Sequence, residues 1–455
     1  MRFDSSTLLA DAAQRAIRYL QGLSARAVRP DPAAVAALTR LDMPLPQNGF
    51  PADQVLQLLD EAVSPATMAM AGPRFFGFVI GGALPATTAA SWLATAWDQN
   101  TALYPVAPGA SHLEKVALEW LRELFSLPTG TAGAFVTGAT LANFTALAAA
   151  RHAVLVRAGW SVEADGLFGA PPIHVLVGEE VHPTLVKSLG LLGLGRTRLT
   201  RLPVDAQGCI RAGALPPLQG PTILCLQAGN IHSGGSDPLR TLCIAAHEAG
   251  AWVHVDGAFG LWAAVSPRHA ALVDGLSLAD SWATDAHKWL NVPYDSGLAF
   301  VRDADSLAAS MAVSAEYLPR AGAERMPADY TPELSRRARG VEVWAALLSL
   351  GRAGLAELIE RNCAQARRFA EGLRAAGFEV LNEVVLNQVV VCFGDADTTL
   401  RAIAALQADG TCWCGSTVWR GRTAMRISVC NWSTTDEDVE RSLAAMIRCA
   451  REAGA

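Results

Sequence analysis

The sequences WVHVDGAFG, residues 252–260, and SWATDAHKW, residues 281–289, determine how this chain is interpreted. Each is typical of a buried strand that ends in charged residues, with Asp256 closing the first and Lys288 following the second. In open α/β sheets the carboxyl ends of parallel strands lie side by side and form the ligand site. We therefore expect Asp256 and Lys288 to face one crevice.

An aspartate and a lysine that share a crevice have a specific chemical use. A lysine that loses its proton forms an imine with an aldehyde cofactor, and a fixed carboxylate keeps a pyridine nitrogen protonated. Taken singly, such residues are more often helix caps or solvated surface charges. Their spacing and flanking residues favour the paired interpretation, which predicts pyridoxal 5'-phosphate (PLP) as the cofactor.

Both segments resemble signatures of the group II PLP-dependent amino-acid decarboxylases, the family of the aromatic amino-acid and glutamate decarboxylases. The family's strand ends HVDAA where this chain has HVDGA at 254–258, and its later HKW matches residues 287–289. The resemblance extends over most of the chain. It implies an α/β fold of the aspartate aminotransferase-like fold type I, with a mainly parallel central sheet flanked by helices and a smaller C-terminal α/β domain.

The same resemblance implies roles for the residues of the two segments. Lys288 would hold the cofactor covalently as a Schiff base and Asp256 would contact its ring nitrogen. Ala258 and His287 would complete this part of the cofactor site.

The sequence FVTGATLAN, residues 135–143, is typical of a strand, a glycine turn and the start of a helix. Helix N-termini present unpaired N–H groups to anions, although an ordinary helix cap is the alternative. The segment resembles the family's SGGTEAN phosphate loop. On that resemblance, the N–H of Ala139 and the N–H and hydroxyl of Thr140 would bind the cofactor phosphate.

Two further candidates follow predicted strands. His182 resembles the family's ring-stacking histidine, which implies a place over the pyridine face near the substrate carboxylate; a capping or surface histidine is the alternative. Asn230 lies in Gly-Asn-Ile, residues 229–231, where the family usually has Gly-Thr-Thr. We expect Asn230 to donate to the cofactor's phenolic oxygen or to the substrate.

Residues 311–339 form a polar, irregular stretch, as lids often do. The family has a mobile loop here whose tyrosine returns a proton to the substrate carbanion. Tyr330 is the better match and Tyr317 the second; an exposed tyrosine without a catalytic part is the alternative. Arg426 matches an LRF-type segment and lies where aminotransferases of the same general fold bind the substrate carboxylate.

Length and composition agree with such an enzyme. With 455 residues, 51% of them hydrophobic, the chain is long enough for one large domain and one or two smaller ones. We expect an N-terminal helical segment at 1–70, a PLP-binding domain at 71–343 and a small domain at 344–455. The resemblance implies that the first segment packs across a homodimer interface, with packing inside one chain as the alternative.

Charge and cysteine content exclude several classes of partner. A net charge of −6 argues against nucleic acid and anionic membranes. No run reaches the roughly 18 consecutive apolar residues of a membrane span, and the first residues lack the features of a secretory signal. We expect a cytoplasmic protein whose nine cysteines are buried reduced thiols without a metal set.

The sequence thus predicts a PLP-dependent carboxy-lyase that converts an L-amino acid to its amine and carbon dioxide. The apolar segment PRFFGFVI, residues 73–80, favours an aromatic or bulky apolar substrate. Another PLP reaction on the same fold, by transamination, aldol cleavage or β-elimination, is the alternative. A nicotinamide-binding Rossmann protein is disfavoured because no G-x-G-x-x-G follows the first strand.

Overall fold

The structure is a computed structural model that describes residues 5–313 and 324–454. The helices are α1 (Ser5–Gly22), α2 (Pro32–Ala36), α3 (Ala52–Leu58), α4 (Pro85–Trp97), α5 (Pro108–Leu124), α6 (Ala139–Arg157), α7 (Val162–Asp165), α8 (Pro183–Leu191), α9 (Leu239–Glu248), α10 (Ala304–Met311), α11 (Gly340–Ala375), α12 (Ala396–Asp409) and α13 (Asp436–Gly454). The strands are β1 (Ala132–Val136), β2 (His174–Gly178), β3 (Leu199–Leu202), β4 (Thr222–Gln227), β5 (Trp252–Asp256), β6 (Ser281–Asp285), β7 (Gly297–Val301), β8 (Glu379–Val380), β9 (Gln388–Cys392), β10 (Gly415–Trp419) and β11 (Arg422–Ser428).

The large sheet has seven strands in the order β1-β7-β6-β5-β4-β2-β3. Strands β2 to β6 run parallel to one another, whereas β7 is antiparallel to both β1 and β6. Because β7 reverses direction against two neighbours, β1 runs the same way as β6. The carboxyl ends of β1, β2, β4, β5 and β6 therefore share one edge, and the predicted mainly parallel α/β sheet is confirmed.

Strand β5 shows how the sequence positions this edge. Every residue of β5 is buried, and the period of two places Trp252, His254 and Asp256 on one face. Helix α6 is long and apolar enough to cross a membrane, but 67% of that span is buried inside the protein, as in a core helix. Its alanines, among them Ala142, Ala146 and Ala149, belong to the same buried cluster as Trp252.

The chain divides into two compact units. One comprises residues 81–367 and 382–389 and holds the large sheet; the other comprises residues 1–80, 368–381 and 390–455. The small sheet has the order β10-β11-β9-β8, with antiparallel pairs β10–β11 and β8–β9. The predicted domain boundaries after residues 70 and 343 stay a prediction.

All nine cysteines are free and buried. Burial raises the pKa of Cys225, Cys243 and Cys363, so these thiols stay protonated at neutral pH. Such cysteines behave as small apolar side chains, as the sequence predicts.

Candidate active site

A cavity of about 170 Å³ lies at the shared carboxyl edge of the large sheet. The residues that line it come from the carboxyl ends of β4, β5 and β6, the loops that follow them, and the starts of α6 and α8. They are Gly138, Ala139, Thr140, His182, Thr184, Gln227, Gly229, Ile231, Asp256, Ala258, Phe259, Asp285, His287 and Lys288. Asp256 and Lys288, distant in sequence, thus face the same space, as predicted.

Lys288 pairs with the carboxylate of Asp285, for which the sequence predicts no role. Its Nζ lies 3.0 Å from Oδ2 of Asp285, and only 4% of the Asp285 side chain is exposed. The ammonium of Lys288 is itself largely enclosed, with 18% of the side chain exposed. An acidic residue three positions before a lysine is a weak sequence signal, because the pairing depends on how the chain turns after β6.

Asp256 is buried at the end of β5. Burial raises the pKa of its carboxyl group, while the charges of His182 and Lys288 and a hydrogen bond from Asn143 oppose that rise. Oδ1 accepts from the N–H of Ala258 at 3.2 Å, and Oδ2 accepts from Nδ2 of Asn143 at 3.1 Å. Two donors therefore hold the carboxylate in one orientation.

The start of α6 already holds an anionic oxygen. The N–H of Ala139 donates to Oδ1 of Asp285 at 2.6 Å, so the predicted phosphate donor is engaged by a side chain of the protein. Thr140 lines the cavity beside it. The carboxylate oxygen shows that this helix N-terminus accepts an anionic oxygen, as helix dipoles and unpaired N–H groups favour.

His182 and His287 both line the cavity. His182 precedes α8, and its Nδ1 accepts from the N–H of Thr184 at 3.3 Å and lies 2.6 Å from the Thr184 hydroxyl. In the neutral ring the proton therefore lies on Nε2. His287 accepts at Nδ1 from the N–H of Ser296, and burial lowers its pKa.

Asn230 has a different place from the one predicted. Its Oδ1 accepts from the N–H groups of His232 and Ser233, at 2.8 and 3.2 Å, and its Nδ2 donates to Gln227. The neighbours Gly229 and Ile231 line the cavity instead. An asparagine that hydrogen-bonds to the backbone two residues ahead shapes a turn, and Asn230 has that place here. Its contact with cofactor or substrate stays a prediction.

Tyr330, the preferred proton donor, also lies elsewhere. Its half-buried ring packs against the apolar cluster between the sheet and α6, and the guanidinium carbon of Arg325 lies 4.4 Å from the ring centre. A ring held in this way is part of the packing, and Tyr330 is not among the residues that line the cavity. Its role as proton donor stays a prediction. Tyr317, the second candidate, lies outside the described residues.

Two predicted features lie in the other compact unit and are described there. Phe75 stacks on Trp413 at 5.0 Å between ring centres, and Phe78, 60% exposed, stacks on the same indole. Burial lowers the pKa of Arg426 to about 10. The predicted contacts of these residues with substrate stay predictions.

The residues of the cavity fit PLP. A lysine amine, a buried carboxylate, a histidine and a helix N-terminus that accepts an anionic oxygen are the groups that an aldehyde, a pyridine nitrogen, an aromatic face and a phosphate require. Together with the mainly parallel sheet, they define the class of PLP-dependent enzymes of this α/β fold.

Comparison with known proteins identifies the family within that class. The pyridoxal-dependent decarboxylase conserved domain matches residues 35–394. The chain belongs to this family, and its activity is the PLP-dependent decarboxylation of an amino acid, as the sequence predicts.

The relatives include decarboxylases and aldehyde synthases. Tryptophan decarboxylase 1 of Oryza sativa subsp. japonica is 29% identical over 424 residues, 84% of this chain and 81% of that protein. L-2,4-diaminobutyrate decarboxylase of Rhizobium meliloti (strain 1021) is 30% identical over 81% of this chain and 76% of its own. Phenylacetaldehyde synthase of a Rosa hybrid cultivar is 28% identical over 78% and 72%.

A solved structure shares the whole fold. The crystal structure of Oryza sativa TDC with PLP and tryptamine superposes with a TM-score of 0.91 at 24% identity, covering 99% of this chain and 98% of that one. The agreement confirms the predicted fold class.

Proposed function

We propose that the protein decarboxylates an aromatic L-amino acid to the corresponding arylalkylamine and carbon dioxide. The observation that carries the proposal is the cavity in which Lys288 and Asp256 face each other beside the apolar side chains of Ile231 and Phe259. Apolar walls with a few fixed polar groups suit a substrate with one charged end and one aromatic end. The relative named tryptophan decarboxylase supports the same substrate class.

Lys288 and Asp256 would act on the cofactor itself. Lys288 would bind the aldehyde carbon of the cofactor covalently. Before that bond forms, the carboxylate of Asp285 would balance the positive charge of the Lys288 ammonium group. Asp256 would accept a hydrogen bond from the protonated pyridine nitrogen and so keep that nitrogen protonated. When bound, PLP supplies a ring that accepts the electron pair released as carbon dioxide leaves.

The start of α6 would hold the phosphate. Thr140 offers its N–H and hydroxyl, and the N–H of Ala139 becomes available when the Asp285 carboxylate turns away from it. His287 and Ala258 line the same cavity and would exclude water from the cofactor. An anion at a helix N-terminus gains from the dipole and from the unpaired N–H groups together.

His182 would lie against the aromatic face of the cofactor. Thr184 holds Nδ1 of the ring by its N–H and lies within hydrogen-bond distance through its hydroxyl. The orientation of the imidazole is therefore set before any ligand binds. A histidine with a fixed orientation suits the reactive face, where it would orient the substrate carboxylate and handle protons.

The test is a substrate panel on the purified holoenzyme. L-tryptophan, L-tyrosine, L-phenylalanine, L-2,4-diaminobutyrate and L-glutamate would be supplied in turn, and carbon dioxide and product mass followed together. We expect the aromatic amino acids to release carbon dioxide and amine in equal amounts. Turnover of L-2,4-diaminobutyrate or L-glutamate alone would overturn the aromatic assignment.

Formation of an aldehyde is the second candidate, favoured by the relatives named phenylacetaldehyde synthase. The same panel separates the two, because an aldehyde synthase consumes dioxygen and water and releases aldehyde, ammonia and hydrogen peroxide in place of the amine. The other reactions considered from the sequence, transamination, aldol cleavage and β-elimination, would leave carbon dioxide unreleased.

We also propose that the protein is a homodimer. Helix α1 has no buried residue, and its Leu9, Ile17 and Leu20 are exposed at helical spacing. Helix α4, which belongs to the unit that holds the large sheet, exposes Trp92 and Trp97. Exposed apolar stripes of this kind mark interaction surfaces, and a second copy of the chain would cover them.

The cytoplasm is our proposed location. Nine free, buried cysteines support a reducing compartment, because cysteine side chains in such a compartment do not form disulfides. Cell fractionation with an antibody to the protein would test it, and recovery from an oxidising compartment would contradict it.

A further inference from the structure

A row of buried polar side chains leads to Asp256 from behind the cavity. Nε1 of Trp252 donates to Oγ of Ser281 at 2.9 Å, and the same Oγ lies 2.9 Å from Nδ1 of His254. Nε2 of His254 lies 2.8 Å from Oδ1 of Asn143, whose Nδ2 donates to Oδ2 of Asp256 at 3.1 Å. These four hydrogen bonds connect β5, β6 and α6.

The two ends of the row impose one direction on it. An indole N–H only donates and an ionised carboxylate only accepts. The oxygen of Ser281 accepts a hydrogen bond from Nε1 of Trp252, and its own O–H donates to Nδ1 of His254. The amide nitrogen of Asn143 donates to Asp256, so the amide oxygen of Asn143 must accept a hydrogen bond from the Nε2–H of His254.

His254 is therefore neutral with its proton on Nε2. The ring is fully buried, and burial lowers its pKa to about 3, which agrees with a single ring proton. Since every donor in the row points the same way, the dipoles add along it, and hydrogen bonds in a low dielectric strengthen one another.

We infer that four buried side chains are positioning residues that keep Asp256 ionised and aimed into the cavity: Trp252, Ser281, His254 and Asn143. The inference rests on the proposed contact between Asp256 and the pyridine nitrogen. Without these residues the buried carboxylate takes up a proton more readily, because the Ala258 N–H is then its one remaining hydrogen-bond donor among the described residues and the charges of His182 and Lys288 are left to offset the loss of water around it. The pyridine nitrogen would lose its charged partner as a result.

The first test reads the ring proton of His254 in the unmutated protein. Imidazole nitrogen NMR of the uniformly ¹⁵N-labelled protein, without cofactor, reports which nitrogen is protonated, and the His254 signal is identified by its absence in His254→Gln. We expect the proton on Nε2. A proton on Nδ1 would reverse the row and overturn the inference.

The second test reads the cofactor nitrogen. In protein loaded with ¹⁵N-PLP, we expect the pyridine signal of Asn143→Leu and of His254→Phe to move from the protonated toward the neutral position. We expect their Kd for PLP to rise about tenfold or more, the effect of losing one hydrogen bond to a charge. His254→Gln, whose amide both donates and accepts, should restore most of the native signal.

Two further variants make the outcome decisive. Thr145→Val alters a buried residue of the same helix whose hydroxyl has no hydrogen-bond partner among the described residues, and should leave the signal unchanged. Asp256→Asn should shift the signal fully. If Asp256→Asn shifts it and folded Asn143→Leu and His254→Phe do not, the row has no such effect; if Asp256→Asn leaves it unchanged, the proposed contact with Asp256 is wrong instead.

Discussion

Lys288 is one of only three lysines in the chain, with Lys115 and Lys187. Of these, Lys288 lies in the cavity, paired with Asp285. This scarcity makes the covalent role of a single side chain measurable, because a reagent that reduces the bond between lysine and an aldehyde has few competing sites.

Reductive trapping should therefore label one peptide. After treatment of the holoenzyme with borohydride, we expect a stable pyridoxal phosphate adduct on the peptide that contains Lys288 and on no peptide of Lys288→Ala. The double variant Lys115→Arg, Lys187→Arg is the matched control and should be labelled like the native protein. A label that persists in Lys288→Ala would remove Lys288 from its role.

Tyr330 and Tyr317 are the two candidates for the proton donor, and Tyr330 alone lies among the described residues. Tyr330 packs under Arg325 on the apolar cluster, so Tyr330→Phe should leave the rate of amine formation unchanged. Tyr317→Phe removes the hydroxyl of the second candidate for the proton donor that the family resemblance implies, and general acid catalysis contributes roughly 100-fold or more. We expect a loss of that size in amine formation, measured at saturating substrate. Full activity of Tyr317→Phe, or loss in a folded Tyr330→Phe, would contradict the assignment.

The buried imidazole of His254 makes stability depend on pH. Burial lowers its pKa to about 3 in the folded protein, from an ordinary value of 6.5. As the pH falls below about 6.5 the unfolded chain takes up a proton that the folded protein refuses, so the free energy of unfolding falls, by at most about 1.4 kcal/mol per pH unit.

His254→Gln removes this titration. In urea unfolding between about pH 6.5 and about pH 4.5, we expect the native protein to lose stability more steeply than the variant. Asp237, whose pKa burial raises to about 7, acts in the opposite sense, but both proteins contain it, so its effect cancels in the comparison. Parallel curves would show that His254 titrates alike in both states.

At the scale of elements, the site depends on how closely β7 approaches the start of α6. A Cβ added at Gly297 would lie 2.4 Å from Cα of Gly138, a contact with backbone that no side-chain rotation relieves. Glycine at this position lets the turn before α6 lie directly against the sheet. The helix N-terminus is thereby brought to the carboxyl edge of β5 and β6.

Gly297→Ala should push that turn away. We expect the free energy of unfolding to fall by about 1–3 kcal/mol, as for an overpacked core, and the affinity for PLP to fall with it. Gly109→Ala is the matched control, because a Cβ in this residue of α5 meets nothing within 4 Å and alanine favours a helix. Thermal unfolding and PLP titration give the two readouts. Native behaviour of Gly297→Ala would show that the turn adjusts without cost.

At the scale of the whole molecule, the exposed stripe on α1 predicts association. Leu9 is 65% and Leu20 is 43% exposed, and no residue of α1 is buried, so charged substitutions there should not unfold the chain. We expect the native protein to have twice the mass of one chain by light scattering, and Leu9→Glu with Leu20→Glu to have the mass of a single chain.

A control variant shows whether dissociation is specific to the apolar stripe on α1 or follows from a charge added anywhere on the surface. Phe168 is 99% exposed in a loop apart from any such stripe, so Phe168→Glu should remain dimeric. A native protein with the mass of one chain, or a dimer that survives both changes on α1, would contradict the proposed interface.

The sequence by itself determined the fold class and the central pair of the site. The short buried-strand patterns of β5 and β6, a charged residue at the end of each, and the glycine turn before α6 are local patterns that can be read from the sequence alone. They led to Lys288 and Asp256 and to the start of α6 without coordinates, and the resemblance to the decarboxylase family added His182.

Only the tertiary structure decided which polar groups meet. Asn143 and Asp256 are 113 positions apart in the sequence, and Ala139 and Asp285 are 146 positions apart. No sequence spacing predicts either contact. The surroundings of Asn230 and Tyr330 could not be predicted for the same reason: the turn around Asn230 and the packing around Tyr330 depend on contacts that form only in the folded chain. Hydrogen bonds need donor and acceptor within about 3 Å in a fixed direction, and that geometry exists only once strands and helices have packed.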